Sequence, residues 1–373
     1  MSDQLDIGLA LSGGGFRATL FSLGSLWRLN ELGWLRKLDI IASVSGGSIL
    51  NAILASRWRS LDWASAAGGE TAQNFSERIS DPVRQFCTKS IDAFAGLEGL
   101  LSLTSTIAEK VEEKYAEELF GAMTLQDLPE PEKGVTPRFV FYATNLKSGV
   151  SLRMSSKYLA DYRVGRIDRP AIDLAKVVAA SSAFPPVLSP VIMDLAPGIW
   201  KPMEGADLFD QEKMREQLVL SDGGVYDNMG LEAIWERCGT VLVSDAGAPL
   251  QAQDTVKTDW VGQLWRVMDI LTEQTRALRK RKLIEDFKEG RRQGSYWGIT
   301  TRIGDYMLND PLVKDNPHTR QLSQIRTRLN PFSEEEQGHL INWGYALTDA
   351  AMRCHVISEA PVGKLPVPDY PLN

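Results

Sequence analysis

Apolar residues recur along this chain in two rhythms. Residues 7–11 form a short apolar run that ends in Ser12-Gly13-Gly14-Gly15, and behind it Phe16, Leu20, Leu23, Leu26 and Trp27 fall at helical spacing. The pattern predicts a strand, a glycine turn and a helix. The same order repeats at once: residues 39–44 are strand-like, Ser45-Gly46-Gly47 is a turn, and Ile49, Leu50, Ile53 and Leu54 form a helical stripe. Two strand-turn-helix units in series imply parallel strands in an α/β sheet.

Residues 61–118 read as helical and mixed in polarity, broken at Gly68-Gly69 and Asp81-Pro82, with an apolar stretch from Phe94 to Leu103. The segment 61–125 is expected to be a helical insertion placed to cap a site. Strands at 138–144 and 150–154 flank Asn145 to Gly149 as a hairpin, and a helix at 172–182 is stopped by Phe184-Pro185-Pro186. Further strands are expected at 187–193, 217–221 and 240–243, so the sheet is predicted to end near residue 245. A long helix at 256–287 and helices at 321–329 and 334–352 follow. With no repeat and no linker rich in Gly, Pro and Ser, the 373 residues are expected to form one domain. Its core would span about 5–250, with a C-terminal helical extension over about 255–373.

Composition narrows the classes. A formal charge of −7 argues against a surface built throughout for nucleic acid, and no nucleic-acid partner is expected. Cys87, Cys238 and Cys354 are widely spaced, with no metal-ligand pattern, and read as free thiols of a reducing compartment. The opening residues carry acids where a secretory signal carries Lys or Arg, and the run 40–56 is too short and too broken by Ser and Gly to span a bilayer. The expectation is a cytoplasmic protein whose contact with a membrane is local and peripheral.

Ser43-Val44-Ser45-Gly46-Gly47 sits where a strand passes into a helix, the context of a G-x-S-x-G nucleophile elbow, with Ser43 standing where that pattern has Gly. Ser43 and Ser48 are rival hydroxyls, but only Ser45 has the glycine pair directly behind it. Gly13-Gly14-Gly15-Phe16-Arg17 offers consecutive backbone N–H groups to an anion, either a phosphate or a tetrahedral oxyanion, with Arg17 holding the loop or meeting a lipid phosphate. It is neither a dinucleotide fingerprint nor a P-loop, since no acid follows in the expected strand and no G-K-[ST] is present. The three histidines, His318, His339 and His355, all lie beyond the expected sheet, so a Ser-His-Asp triad is not the favoured arrangement. Asp222, followed by Gly223 and Gly224 at a strand end, offers a carboxylate base, although Asp227 and Asp245 can be proposed by similar logic.

Taken in order, Gly13-Gly14-Gly15-Phe16-Arg17, Ser43-Val44-Ser45-Gly46-Gly47 and Asp222-Gly223-Gly224 resemble the patatin-like phospholipase family. Residues 143–149 and 179–186 also look like segments of its bacterial members. The resemblance implies a three-layer α/β/α fold with a mostly parallel central sheet and hydrolysis of fatty acyl esters by a Ser-Asp dyad. It further implies Ser45 as nucleophile, Asp222 as base, and an oxyanion hole from Gly13, Gly14, Gly15 and Arg17, with no cofactor and no metal. The substrate expected is a membrane phospholipid or lysophospholipid. The alternatives are a soluble carboxylesterase or thioesterase, and an inactive module that senses lipid or nucleotide. The run Arg276, Arg279, Lys280, Arg281, Lys282, Lys288, Arg291 and Arg292, set against Glu285, Asp286 and Glu289, is a candidate site for an anionic lipid or nucleotide regulator; a solvated helix face is the simpler reading.

Overall fold

The structure, a computed structural model, describes residues 6–91, 106–247 and 250–372. A ten-stranded mixed sheet carries the chain. Its main path runs β12 (Gln293–Gly298), β11 (Cys238–Asp245), β1 (Asp6–Leu11), β2 (Ile40–Ser43), β5 (Arg138–Asn145), β6 (Val150–Met154), β7 (Tyr158–Asp161) and β8 (Gly165–Asp168). The strands from β12 to β5 are parallel to their neighbours, and those beyond β5 are antiparallel. β10 (Gln217–Asp222) and β9 (Val191–Asp194) complete the sheet, and a separate hairpin is formed by β3 (Trp63–Ala66) and β4 (Gly69–Ala72).

Alternation along the strands explains the layering. Leu9 and Leu11 of β1, Ile41 of β2 and Phe141 of β5 join one apolar core, while Ala10, Ala42 and Val140 join a second on the other face. Over the first core lie α1 (Gly15–Glu31), α2 (Gly46–Arg57), the helix Leu174–Ser181 and the C-terminal helix Glu334–His355; the second is covered by residues around Met229 and Ile234 and by Leu283 and Phe287 of the long helix Trp260–Lys288. The result is the three-layer α/β/α arrangement, because both faces of a parallel sheet must be covered. α1 is buried on nearly every side, wedged between the sheet and the C-terminal helix.

The register of β5 fixes where the site forms. Along one edge of β5, β2 pairs with Arg138 to Phe141 and stops at Ser43, and β10 then takes over, setting Asp222 opposite Ala143. The turn after β2 and the end of β10 therefore meet end to end.

Several expectations are corrected. Residues 63–72 form a hairpin rather than helix, because Gly68-Gly69 turns the chain back on itself. The strand expected from 187 begins only at Val191, since Pro186 and Pro190 interrupt the earlier residues. β7 and β8 extend the hairpin at 138–154, and β12 carries the sheet well past residue 245, its Gly and aromatic content hiding a buried edge strand. In place of the helix expected at 321–329 there is a short helix, Pro317–Gln321, followed by a single turn, Leu322–Gln324. The apolar stretch from Phe94 to Leu103 lies outside the described residues. Cys87, Cys238 and Cys354 are free thiols, the first two buried. Among the described residues no helix is long and apolar enough to cross a membrane.

Candidate active site

Ser45 sits on the turn between β2 and α2 with φ 51° and ψ −120°, a conformation rarely adopted by a residue with a side chain. Such strain is the mark of an elbow that lifts a side chain out of its sheet. The turn is held from below by hydroxyls. Ser45 N–H donates to Ser181 Oγ at 3.1 Å, Ser181 and Ser48 are 2.8 Å apart, and Ser48 and Ser43 2.9 Å apart, with Asn51 Nδ2 donating to Ser43 Oγ at 2.9 Å. Ser43 and Ser48 are thus buried ties of the elbow, which accounts for a serine where the pattern has glycine. Only Ser45 of the three lines the cavity above.

Asp222 is buried beside Ser45, its backbone N–H bonded to Ala183 O at 2.9 Å and its C=O accepting from Thr144 Oγ1 at 2.8 Å. Burial pushes its pKa up to about 6, against the Gly224 N–H, which donates to Oδ1 at 2.7 Å, and the Ser45 hydroxyl, which bonds to the carboxylate. Gly223 N–H bonds to Ser181 O at 3.2 Å, tying the aspartate turn to the same residue that holds the elbow. The rival acids are engaged elsewhere. Asp227 accepts backbone N–H groups from Met229, Leu231 and Glu232 at 2.8 to 3.1 Å. Asp245 is buried against Arg276 at 2.6 Å and Tyr296 at 2.7 Å; burial alone would raise its pKa, but these donors hold it below the usual carboxylate range. Neither lines the cavity, nor does any of the three histidines.

The glycine turn borders the same cavity. Gly14 and Gly15 have φ 133° and 55°. A Cβ on Gly15 would lie 1.5 Å from Thr327 O, so only glycine fits, and one on Gly46 would lie 2.0 Å from Gly15 O, which packs the elbow against the loop. Gly13 N–H is committed to Asn228 O at 2.9 Å and Phe16 N–H to Arg328 O at 3.3 Å; among the described residues the N–H groups of Gly14, Gly15 and Gly46 have no acceptor. Arg17 is buried and donates to the carbonyls of Ser323 (3.2 Å), Ile325 (2.7 Å) and Ala246 (2.7 Å). Desolvation lowers its pKa to about 10, with nearby Asp245 opposing. Its fork therefore anchors the loop to the C-terminal part of the chain.

The cavity has a volume of about 640 Å³. Phe184, Val187, Leu188, Leu250 and Leu329 give it apolar walls, and Arg266, Asp269, Glu273 and Arg276 of the long helix give it a charged one. None of the described residues of the 61–125 segment lines it, and residues 92–105 of that segment lie outside the described residues. Trp58, Trp63 and Phe75 are core aromatics away from the cavity, with Trp58 and Trp63 ring centroids 4.9 Å apart. Sequence reading missed Ser181 and Asn228, whose side chain lies between the glycine turn and Gly224. The one signal for the last was its place four residues after Gly224 in the Asp-Gly-Gly turn. The basic run is largely neutralised: Arg276, Arg279, Lys282, Arg291 and Arg292 each have a carboxylate within 4 Å.

This fold is that of a recognised class. Residues 9–235 match the family model described as patatin-like phospholipase, and the chain belongs to that family. No curated protein matches the chain. Among solved structures it is similar to human GIVD cytosolic phospholipase A2 in complex with methyl gamma-linolenyl fluorophosphonate, at 15% identity and TM-score 0.52, covering 93% of this chain and 57% of that one. The same human protein without that inhibitor gives 13% identity and TM-score 0.51, covering 93% and 61%. The chain thus spans somewhat over half the length of the human protein, and at such identities the likeness is one of fold.

Proposed function

We propose that the chain hydrolyses fatty acyl esters of membrane glycerolipids, as a phospholipase A or lysophospholipase, through Ser45 and Asp222. The observation that carries this reading is the elbow conformation of Ser45 against a buried carboxylate, both bordering one cavity. With its pKa near 6, Asp222 is ionised at neutral pH and is a stronger base than a solvated aspartate. It takes the Ser45 proton as the alkoxide attacks the ester carbonyl, and returns that proton to the departing alcohol. Water, deprotonated by Asp222, then cleaves the acyl-enzyme and restores Ser45. The unengaged N–H groups of Gly14, Gly15 and Gly46 are the donors suited to the oxyanion, at ~2.7–4 kcal/mol for each donor aimed at it. Gly13 holds the loop through Asn228, and Arg17 through its three carbonyls. The apolar walls suit an acyl chain.

A fluorophosphonate probe is expected to label Ser45 and to leave Ser45→Ala unlabelled. Mass spectrometry of mixed phospholipids is expected to show free fatty acid released by the native chain alone. Equal release by Ser45→Ala would remove the reading.

A further inference from the structure

The long helix Trp260–Lys288 is amphipathic in the wrong sense for a helix packed on a water-soluble body. At about 100° per residue, Arg266, Asp269, Glu273 and Arg276 share the face turned to the cavity and to buried Asp245. The opposite face carries Trp260, Leu264, Val267 and Leu271, exposed by 78%, 54%, 48% and 60%. Within the helix only Arg276, Leu283 and Asp286 are buried, so its first half is held by polar groups and presents apolar ones to the outside. A stripe of this size on a protein surface calls for a partner.

We infer that this stripe, together with Phe184 and Val187, is a lipid-docking surface that seats the mouth of the Ser45 cavity on a membrane. Phe184 and Val187 line that cavity and are themselves 46% and 52% exposed, and Trp265 of the helix both lines it and is 36% exposed. The apolar surface is therefore continuous with the cavity wall. A second copy of the chain fits less well, for two reasons. The positions flanking the stripe, Val261 and Ile270, are apolar and exposed, whereas pairing helices edge their seam with charges. A protein seated over Trp265 and Val187 would also close the cavity, while a lipid layer supplies what enters it; this second point rests on the hydrolase reading. Trp260, the most exposed of these side chains, is of the type that settles at the boundary between headgroups and acyl chains.

The test uses the full chain carrying Ser45→Ala, so that binding is read with the chemistry off, and phosphatidylcholine vesicles as the probe. Flotation with the vesicles is expected, with a blue shift of tryptophan emission. The triple substitution Trp260→Gln, Leu264→Gln and Leu271→Gln is expected to weaken vesicle binding roughly a hundred-fold. In the Ser45 background the same triple variant is expected to hydrolyse a soluble short-chain ester at the native rate and to lose turnover on vesicles. Undiminished flotation of the triple variant overturns the docking surface. So does a chain that ignores vesicles, and so does a dimer in sedimentation that the triple substitution dissociates. Absence of any soluble-ester turnover in the native chain removes the hydrolase reading and leaves the docking surface to be judged by flotation alone.

Discussion

Replacing Asp222 with Asn separates what this residue does for chemistry from what it does to the fold. The carboxyl is buried, and its pKa stands at about 6 against an ordinary 3.8. A folded-state value above the unfolded one means that the native chain binds more protons between those two pH values, so stability falls as pH rises through that interval. About two pKa units at 1.36 kcal/mol each amount to roughly 3 kcal/mol of destabilisation, absent below pH 3.8 and fully developed above about pH 6. Asn keeps the shape and can still accept the Gly224 N–H, but carries no charge to desolvate. With about 2.1 cal/mol/K of unfolding entropy per residue, the variant should melt about 4 °C higher at pH 7. The gap should close as pH falls from 6 towards 4, and turnover should be lost. Thermal melts of both proteins at pH 7.0 and about pH 4.5, with ester turnover at pH 7, provide the measurement. A variant that melts no higher at pH 7, or whose advantage is the same at both pH values, refutes the argument from burial; retained turnover refutes the role as base.

Other changes probe the parts that hold the site. The native kcat/KM is expected to fall on the acid side with a midpoint near pH 6, as Asp222 takes up a proton, and a midpoint near 4 in a pH–rate profile would contradict the buried base. Gly15→Ala places a Cβ 1.5 Å from Thr327 O, so the loop must shift; kcat/KM should drop at least about a hundred-fold and the melting temperature should fall with it. Ser43→Gly removes the hydroxyl between Ser48 and Asn51, and chemical denaturation should show a loss of about 1–3 kcal/mol while the soluble-ester rate stays within a few-fold of native.

The parts of the site that were legible in the sequence are those fixed by local backbone geometry. A strand that must turn sharply into a helix needs small residues at the turn, so Ser45-Gly46-Gly47 and Gly13-Gly14-Gly15 stand out, and their two strands are neighbours in the sheet. Asp222 was one of three comparable acids until the register of β10 against β5 set it beside the elbow. The walls of the cavity were not legible. Leu250, Arg266 and Leu329 come from separate segments that meet only through tertiary packing, and no short-range pattern encodes that meeting. β12 was missed because its Gly and aromatic residues satisfy a buried edge beside β11 without the alternation that marks a half-buried strand. The pairing of the basic run was legible for Lys282, Arg291 and Arg292, whose partners Glu285, Asp286 and Glu289 are close in sequence, and not for Arg276 and Arg279, which meet Asp245 and Asp227 across the fold.

The three carbonyls held by Arg17 give the site a dependence on order of assembly. Two of them, from Ser323 and Ile325, lie over 300 residues downstream, and the third, Ala246, lies past the last residue matched by the family model. The span that carries Ser45, Asp222 and the glycine turn is therefore not braced by its own residues alone. While a ribosome is still making the first three hundred residues, the emerging polypeptide has Ser45 and Asp222 but lacks two of the three carbonyls that hold Arg17 beside its glycine turn.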